Sequence, residues 1–281
     1  MPPHKPPPAN ALPPGYRLGA YKIQHWIGTG GHAILFVASD KRNHTQVALK
    51  FPLVPSEEDI QRLRHEVAMG HVVHHPNICK SVKVATEQGF TFGVMEYVEG
   101  ENLKSIMRRG GALQRSTAES VAAELCAAAS RMHKLGLVHC DLKPDNVMID
   151  DNGHVKIIDL GVARYEGLPE GDPILGTPEY MAPERFLGKV LKAPLDVFAI
   201  GVLLYEVFTG SPWLKCDPAA DWPVRVQTVL QQQDTLPLPP SKVNSDLDFI
   251  IDDLIMSCLE RDPEARPEAH VLSGRWAALS G

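Results

Sequence analysis

The reading of this chain turns on His139-Cys140-Asp141-Leu142-Lys143-Pro144-Asp145-Asn146, followed thirteen residues later by Asp159-Leu160-Gly161. Asp141, Lys143 and Asn146 place a carboxylate, a cation and an amide on one short segment. Asp159 ends the apolar run Val155–Ile158, with a glycine two positions beyond. A carboxylate at a strand end with glycine close after it suits a hard, oxygen-seeking cation such as magnesium. Asn146–Ile149 and Val155–Ile158 flank a run ending in Asn152-Gly153, which predicts a hairpin between the two halves of the stretch.

Upstream, Gly28-Thr-Gly30-Gly31-His-Ala33 lies between two strand-like runs. A dinucleotide-binding fingerprint would continue into a helix, whereas Ile34–Ala38 continues as strand. Strand, glycine turn, strand is a layout for a loop that folds over phosphates, since glycine lets backbone N–H groups approach without a Cβ. An ordinary hairpin turn is the competing reading. Val47-Ala48-Leu49-Lys50 follows on the next strand. A lysine there needs a partner, because an unpaired buried charge is costly, and Glu66 on the following helix is the candidate. An edge-strand lysine and a solvated glutamate are the bland alternative. Downstream come Gly176-Thr177-Pro-Glu-Tyr-Met-Ala-Pro183-Glu184, then Asp196, then Arg266 in Arg261-Asp-Pro-Glu-Ala-Arg266-Pro.

The 281 residues suit one large domain or two lobes, and 44% apolar content supports a sizeable core. A formal charge of −6 gives no general drive toward nucleic acid or anionic membrane. Five scattered cysteines without a C-x-x-C argue against a disulfide framework or structural zinc and predict a reducing, cytoplasmic setting. No signal-peptide pattern is present, and the longest apolar run, Val197–Tyr205, is far shorter than the ~20 residues of a membrane span. Seven of the first sixteen residues are proline, so residues 1–16 are expected to be a disordered tail and a candidate docking segment. Residues 21–50 and 82–98 read as strands, and Glu58 to about Val72 as a helix with Ile60, Leu63 and Val67 on one face. The chain then turns mostly helical. Ser116-Thr-Ala-Glu119 has capping-box spacing, Gly136 sits at a helix end, and Val197–Phe208 should form a buried helix. His71, His74 and His75 are not read as a zinc site, since Pro76 breaks the helix and a fourth ligand is missing.

Taken in order, these motifs resemble the catalytic domain of eukaryotic-type serine/threonine protein kinases, over roughly residues 17–280 and closest in detail to bacterial members. The resemblance implies an α+β, bilobal fold: a small β-rich N-lobe over 17–98 and a larger helical C-lobe over 99–281, around a nucleotide cleft. It implies transfer of the ATP γ-phosphoryl group to Ser/Thr hydroxyls of protein substrates. It assigns Lys50 to the α/β-phosphates with Glu66 as its partner, Asp141 as catalytic base and Lys143 to the γ-phosphoryl charge. Asn146 and Asp159 would hold Mg2+, with Mn2+ as the alternative cation. Ile27, Gly28, Gly30, Gly31, Leu35, Ala48, Met95, Glu96, Val98 and Met148 would line the nucleotide site. Glu184 and Arg266 would form a buried ion pair, and Asp196 would hold the catalytic-loop backbone.

Several residues depart from the family pattern. Ala33 replaces a loop glycine, at a cost on the order of 1–2 kcal/mol if that position needs positive φ. Leu160 replaces a phenylalanine, and Gly70 stands where a linking side chain is usual. Cys140 stands where many members carry an arginine that pairs with a phosphorylated activation-segment residue. Residues 162–175 also contain no Ser or Thr. Activity is therefore expected not to depend on phosphorylation of that segment. A nucleotide-binding pseudokinase scaffold is the rival reading, opposed by the presence of Lys50, Glu66, Asp141, Asn146 and Asp159 together.

Overall fold

The computed structural model describes residues 12–30, 33–169, 174–188 and 190–280. The chain forms two compact units that are not contiguous in sequence. The first takes the described residues up to His74, with Cys79–Glu99 and Asp159–Gly161. The second takes His75–Ile78, Gly100–Ile158 and the chain from Val162 onward.

In the first unit, alternating apolar residues give an antiparallel six-stranded sheet. Its strands are β1 (Arg17–Leu18), β2 (Tyr21–Thr29), β3 (Ala33–Asp40), β4 (Thr45–Pro52), β5 (Ser81–Glu87) and β6 (Phe90–Glu96), in the order β1-β2-β3-β4-β6-β5. Val47, Leu49 and Phe51 of β4 and Phe90, Phe92 and Val94 of β6 share one buried core. The Phe51 and Phe92 rings lie 5.0 Å apart there. Lys50 and Gly93 face each other across the β4–β6 ladder, as do Ala48 and Met95, so these four fall on the opposite face of the sheet.

That face receives helix α1 (Glu57–Val72), one residue longer at its start than expected. Ser56 Oγ accepts the Asp59 N–H at 3.1 Å and caps it, with Glu57, Glu58 and Asp59 in the first turn. Gly93 permits the close approach: a Cβ there would lie 2.9 Å from Leu63 Cδ1 of α1. Gly70 serves a similar contact, because a Cβ would collide with Ser81 Oγ.

Two expectations change here. Of the sixteen residues assigned to the disordered tail, 12–16 are described and belong to the fold. Leu12 is buried in the sheet core, and the Gly15 N–H donates to Ile23 O at 2.8 Å. Residues 1–11 lie outside the described residues. The alanine cost at position 33 also disappears. Ala33 is buried in β3, paired with Pro52, and is not among the described non-glycine residues with positive φ.

The second unit is built on α3 (Arg115–Lys134) and α4 (Pro194–Thr209). Helix α4 is buried on nearly every side, as its continuous apolar sequence requires. Around them lie α2 (Leu103–Gly110), α5 (Trp222–Gln233), α6 (Pro240–Val243), α7 (Phe249–Cys258) and α8 (Ala269–Ser280). The Trp276 ring of α8 stacks on Phe208 of α4 at 5.3 Å. Strands β7 (Gly100–Asn102), β9 (Val147–Asp150) and β10 (Val155–Ile157) make a small sheet whose β9–β10 turn is the expected hairpin. Strands β8 (Leu137–Val138) and β11 (Arg164–Tyr165) pair separately. The expected capping box does not form. Gln114 occupies the N-cap of α3 without a side-chain cap bond, which puts Ser116 inside the first turn. Glu119 instead accepts from Arg115 Nε at 2.8 Å. Helix α3 does end just before Gly136, whose N–H donates to His133 O at 2.9 Å. Among the described residues, no helix is long and apolar enough to cross a membrane.

Candidate active site

The first unit assembles one charged cluster. Lys50 Nζ lies 2.7 Å from Glu66 Oε1 and 3.3 Å from Asp159 Oδ2. Glu66 reaches Lys50 because Leu63, one turn earlier in α1, sits against Gly93 opposite Lys50. Burial alone would pull the Lys50 ammonium down, but the two carboxylates outweigh it and hold the group above its ordinary value. Burial pushes Glu66 up to about 7, opposed by Lys50 and reinforced by Asp159, since two carboxylates share one ammonium. Asp159 Oδ1 accepts the Gly161 N–H at 2.8 Å, and its side chain is 38% exposed, more open than either partner.

The other first-unit residues fall as follows. Ala48 and Met95 are buried neighbours on the α1 face of the sheet. Leu35 pairs with Gly28 on one side and Lys50 on the other. Ile27 is 44% exposed. A Cβ at Gly28 would meet no atom of the described residues within 4 Å. Gly30 donates its N–H to Ala33 O at 2.8 Å. Gly31 lies outside the described residues. Glu96 Oε2 accepts the Lys80 N–H at 3.0 Å, and Val98 is buried just beyond β6.

The second unit assembles the loop 139–146. Buried Asp196 accepts the N–H of His139 at 2.8 Å on Oδ2 and that of Cys140 at 2.9 Å on Oδ1. His133 Nε2 lies 2.9 Å from the same Oδ2. Burial alone would raise the Asp196 pKa, but His133 and these backbone donors outweigh it and hold it below its ordinary value. The loop bends at Cys140, which has φ +68. Asp141 Oδ2 is engaged by Lys143 Nζ at 2.8 Å and Asn146 Nδ2 at 3.1 Å. Its Oδ1 is buried and has no hydrogen-bond partner among the described residues. Lys143 Nζ also donates to Thr177 Oγ1 at 2.7 Å, tying the loop to the segment that begins at Gly176. Asn146 Nδ2 donates to Asp141 O at 2.9 Å; both Asn146 bonds use the amide nitrogen and leave the oxygen for other work. Met148 lies on β9, paired with Lys156 and Asn102. Glu184 and Arg266 form a two-pronged buried pair at 2.6 and 2.9 Å.

Sequence reasoning missed Arg185. It is 4% exposed and donates through Nη1 to Cys140 O and through Nη2 to Leu175 O, the latter at 2.7 Å. These two partners are main-chain carbonyls, which leave no trace in the sequence. Tyr180, inside the stretch 176–184, donates its hydroxyl to Glu206 Oε2 at 2.7 Å, a partner the sequence did not indicate.

This geometry coincides with a family match. The protein kinase domain model matches residues 21–276, and the chain belongs to that family. The chain is 31% identical over 265 residues to the serine/threonine-protein kinase PknB of Mycobacterium tuberculosis, covering 90% of this chain and 41% of the relative. The same protein of Mycolicibacterium smegmatis is 30% identical over 265 residues, covering 90% and 41%. A probable serine/threonine-protein kinase of Clostridium acetobutylicum is 29% identical over 252 residues, covering 88% and 37%. The chain thus spans about two fifths of the length of these relatives.

Proposed function

We propose that the chain is the catalytic domain of a serine/threonine protein kinase, which transfers the γ-phosphoryl group of ATP to protein Ser/Thr hydroxyls. The carrying observation is the division of labour within Asp141. Lys143 and Asn146 hold Oδ2, and Oδ1 is left over as a buried acceptor. A carboxylate fixed on one oxygen can orient a hydroxyl and take its proton on the other. The hydroxyl oxygen then bonds to the γ-phosphorus, the bond to the β–γ bridging oxygen breaks, and ADP leaves. The names of the relatives, each a serine/threonine-protein kinase, support the acceptor class.

Lys50, kept charged by Glu66 and Asp159, binds the α/β-phosphates. The Asp159 carboxylate and the Asn146 amide oxygen are donors that fit Mg2+ or Mn2+. A bound cation would supply neutralising charge on the phosphates. Lys143, between Asp141 and Thr177, is the cation available to the transferred group. Cys140 cannot receive a phosphate, and residues 162–175 offer no Ser or Thr to carry one, so we assign the enzyme activity without phosphorylation of that segment.

Incubation with γ-labelled ATP, Mg2+ and casein tests the reading. Wild type should label Ser or Thr in the acceptor, Asp141→Ala should not, and phosphatase pretreatment should leave the wild-type rate unchanged. Magnesium-dependent nucleotide binding with no transfer to any acceptor would replace the reading with a nucleotide-binding scaffold.

A further inference from the structure

The Cys140 peptide is gripped at both ends. Asp196 Oδ1 accepts its N–H at 2.9 Å, and Arg185 Nη1 donates to its carbonyl. A non-glycine residue at φ +68 persists only where its surroundings over-determine it, and these two bonds do so. Asp141 is the next residue, so the direction of its side chain follows from how this peptide is held.

The same guanidinium reaches a second segment. Arg185 Nη2 donates to Leu175 O at 2.7 Å, directly before Gly176-Thr177. Gly176, at φ +125, lies so close to the loop that a Cβ would stand 3.2 Å from both Asp141 Oδ1 and Cys140 O. Thr177 then receives Lys143. One planar fork therefore fixes the distance between the loop bearing Asp141 and Lys143 and the segment bearing Thr177. Lysine, a point charge on a flexible stem, cannot hold two diverging carbonyls in that way.

We propose that Arg185 is a positioning residue for phosphoryl transfer, a built-in clamp that joins residues 175–177 to the catalytic loop without any phosphate on the segment. The proposal rests on the phosphotransfer reading above. The clamp acts on Asp141 and Thr177, whereas Lys50, Glu66 and Asp159 stand in the other compact unit. Loss of the clamp should thus reach the rate of transfer and spare nucleotide affinity.

The test compares wild type, Arg185→Lys and Arg185→Gln for transfer to casein, ATP affinity, and amide hydrogen exchange over 174–177. Arg185→Gln should lower kcat by about 10- to 100-fold, as loss of charge-assisted hydrogen bonds predicts, with ATP affinity within about threefold of wild type. Arg185→Lys should fall between the two, and exchange at 174–177 should accelerate in the same order. Equal kcat in all three overturns the proposal, and so does a parallel loss of kcat and ATP affinity. If neither variant folds, Arg185 is a core residue and the proposal also falls. Wild type that binds ATP but transfers nothing refutes the phosphotransfer reading instead, and the exchange comparison then still decides whether Arg185 orders the segment.

Discussion

Asp141 and Lys50 carry their charges in contrasting ways. Lys50 lies between two carboxylates, which together outweigh its burial and hold it as an ammonium. Asp141 is half engaged, with Oδ1 unspent. Asp141→Asn keeps the shape and the Asn146 and Lys143 neighbours but removes the carboxylate proposed to take the proton. We expect kcat to fall by about 10²–10⁴-fold with little change in ATP affinity, measured by steady-state kinetics alongside nucleotide binding. The pairing of Lys50 with Glu66 and the grouping of Asp141, Lys143 and Asn146 were legible in the sequence, since unlike charges and an amide stand at short or matched intervals. Arg185 was not, since an arginine that serves backbone carbonyls looks like any solvated arginine until the carbonyls are located. The Ala33 question was also beyond the sequence, because it hung on one backbone angle.

At the scale of elements, Glu124 of α3 joins three pieces of the second unit. Its Oε2 accepts from Asn77 Nδ2 at 2.6 Å and from the Val155 N–H at 2.7 Å, and its Oε1 lies 2.9 Å from His154 Nδ1. Removing it leaves the buried Asn77 amide short of an acceptor, so Glu124→Ala should cost about 1–3 kcal/mol in denaturant unfolding. The hydrogen bond to Glu124, and its charge, hold the His154 pKa above the ordinary value. His154 therefore stabilises the fold fully below the unfolded histidine pKa, and its contribution fades as pH rises through the raised value. An NMR titration should find that raised pKa, and Glu124→Gln should return it toward normal. Helix α1 was readable from its apolar spacing. The start of α3 was misread, because a Ser-x-x-Glu spacing names a capping box only when the backbone leaves the helix at the serine, and here helical geometry begins at Arg115.

At the scale of the molecule, Arg266 and Glu184 anchor the second unit. Arg266 also donates from Nε to Glu260 O at 2.8 Å and from Nη1 to Pro194 O at 3.0 Å, and its guanidinium lies 4.9 Å from the Phe198 ring centroid. Arg266→Met strands a buried carboxylate, and we expect a loss of about 3–5 kcal/mol by chemical denaturation. In the first unit, Leu12→Ala should cost about 2–5 kcal/mol, where a disordered tail would give no change. The β-rich and helical halves were legible from composition along the chain. The membership of Leu12 was hidden by the prolines around it, which signal disorder whether or not one leucine among them finds a core.

The three residues Asp159–Gly161 pack with the first unit although the chain on either side of them belongs to the second. During synthesis, the β-rich unit therefore cannot be completed when Glu99 leaves the ribosome. It waits for some sixty further residues, most of them committed elsewhere. A fragment ending at Glu99 holds Lys50 and Glu66 but lacks Asp159, so its lysine has one carboxylate where the whole chain supplies two.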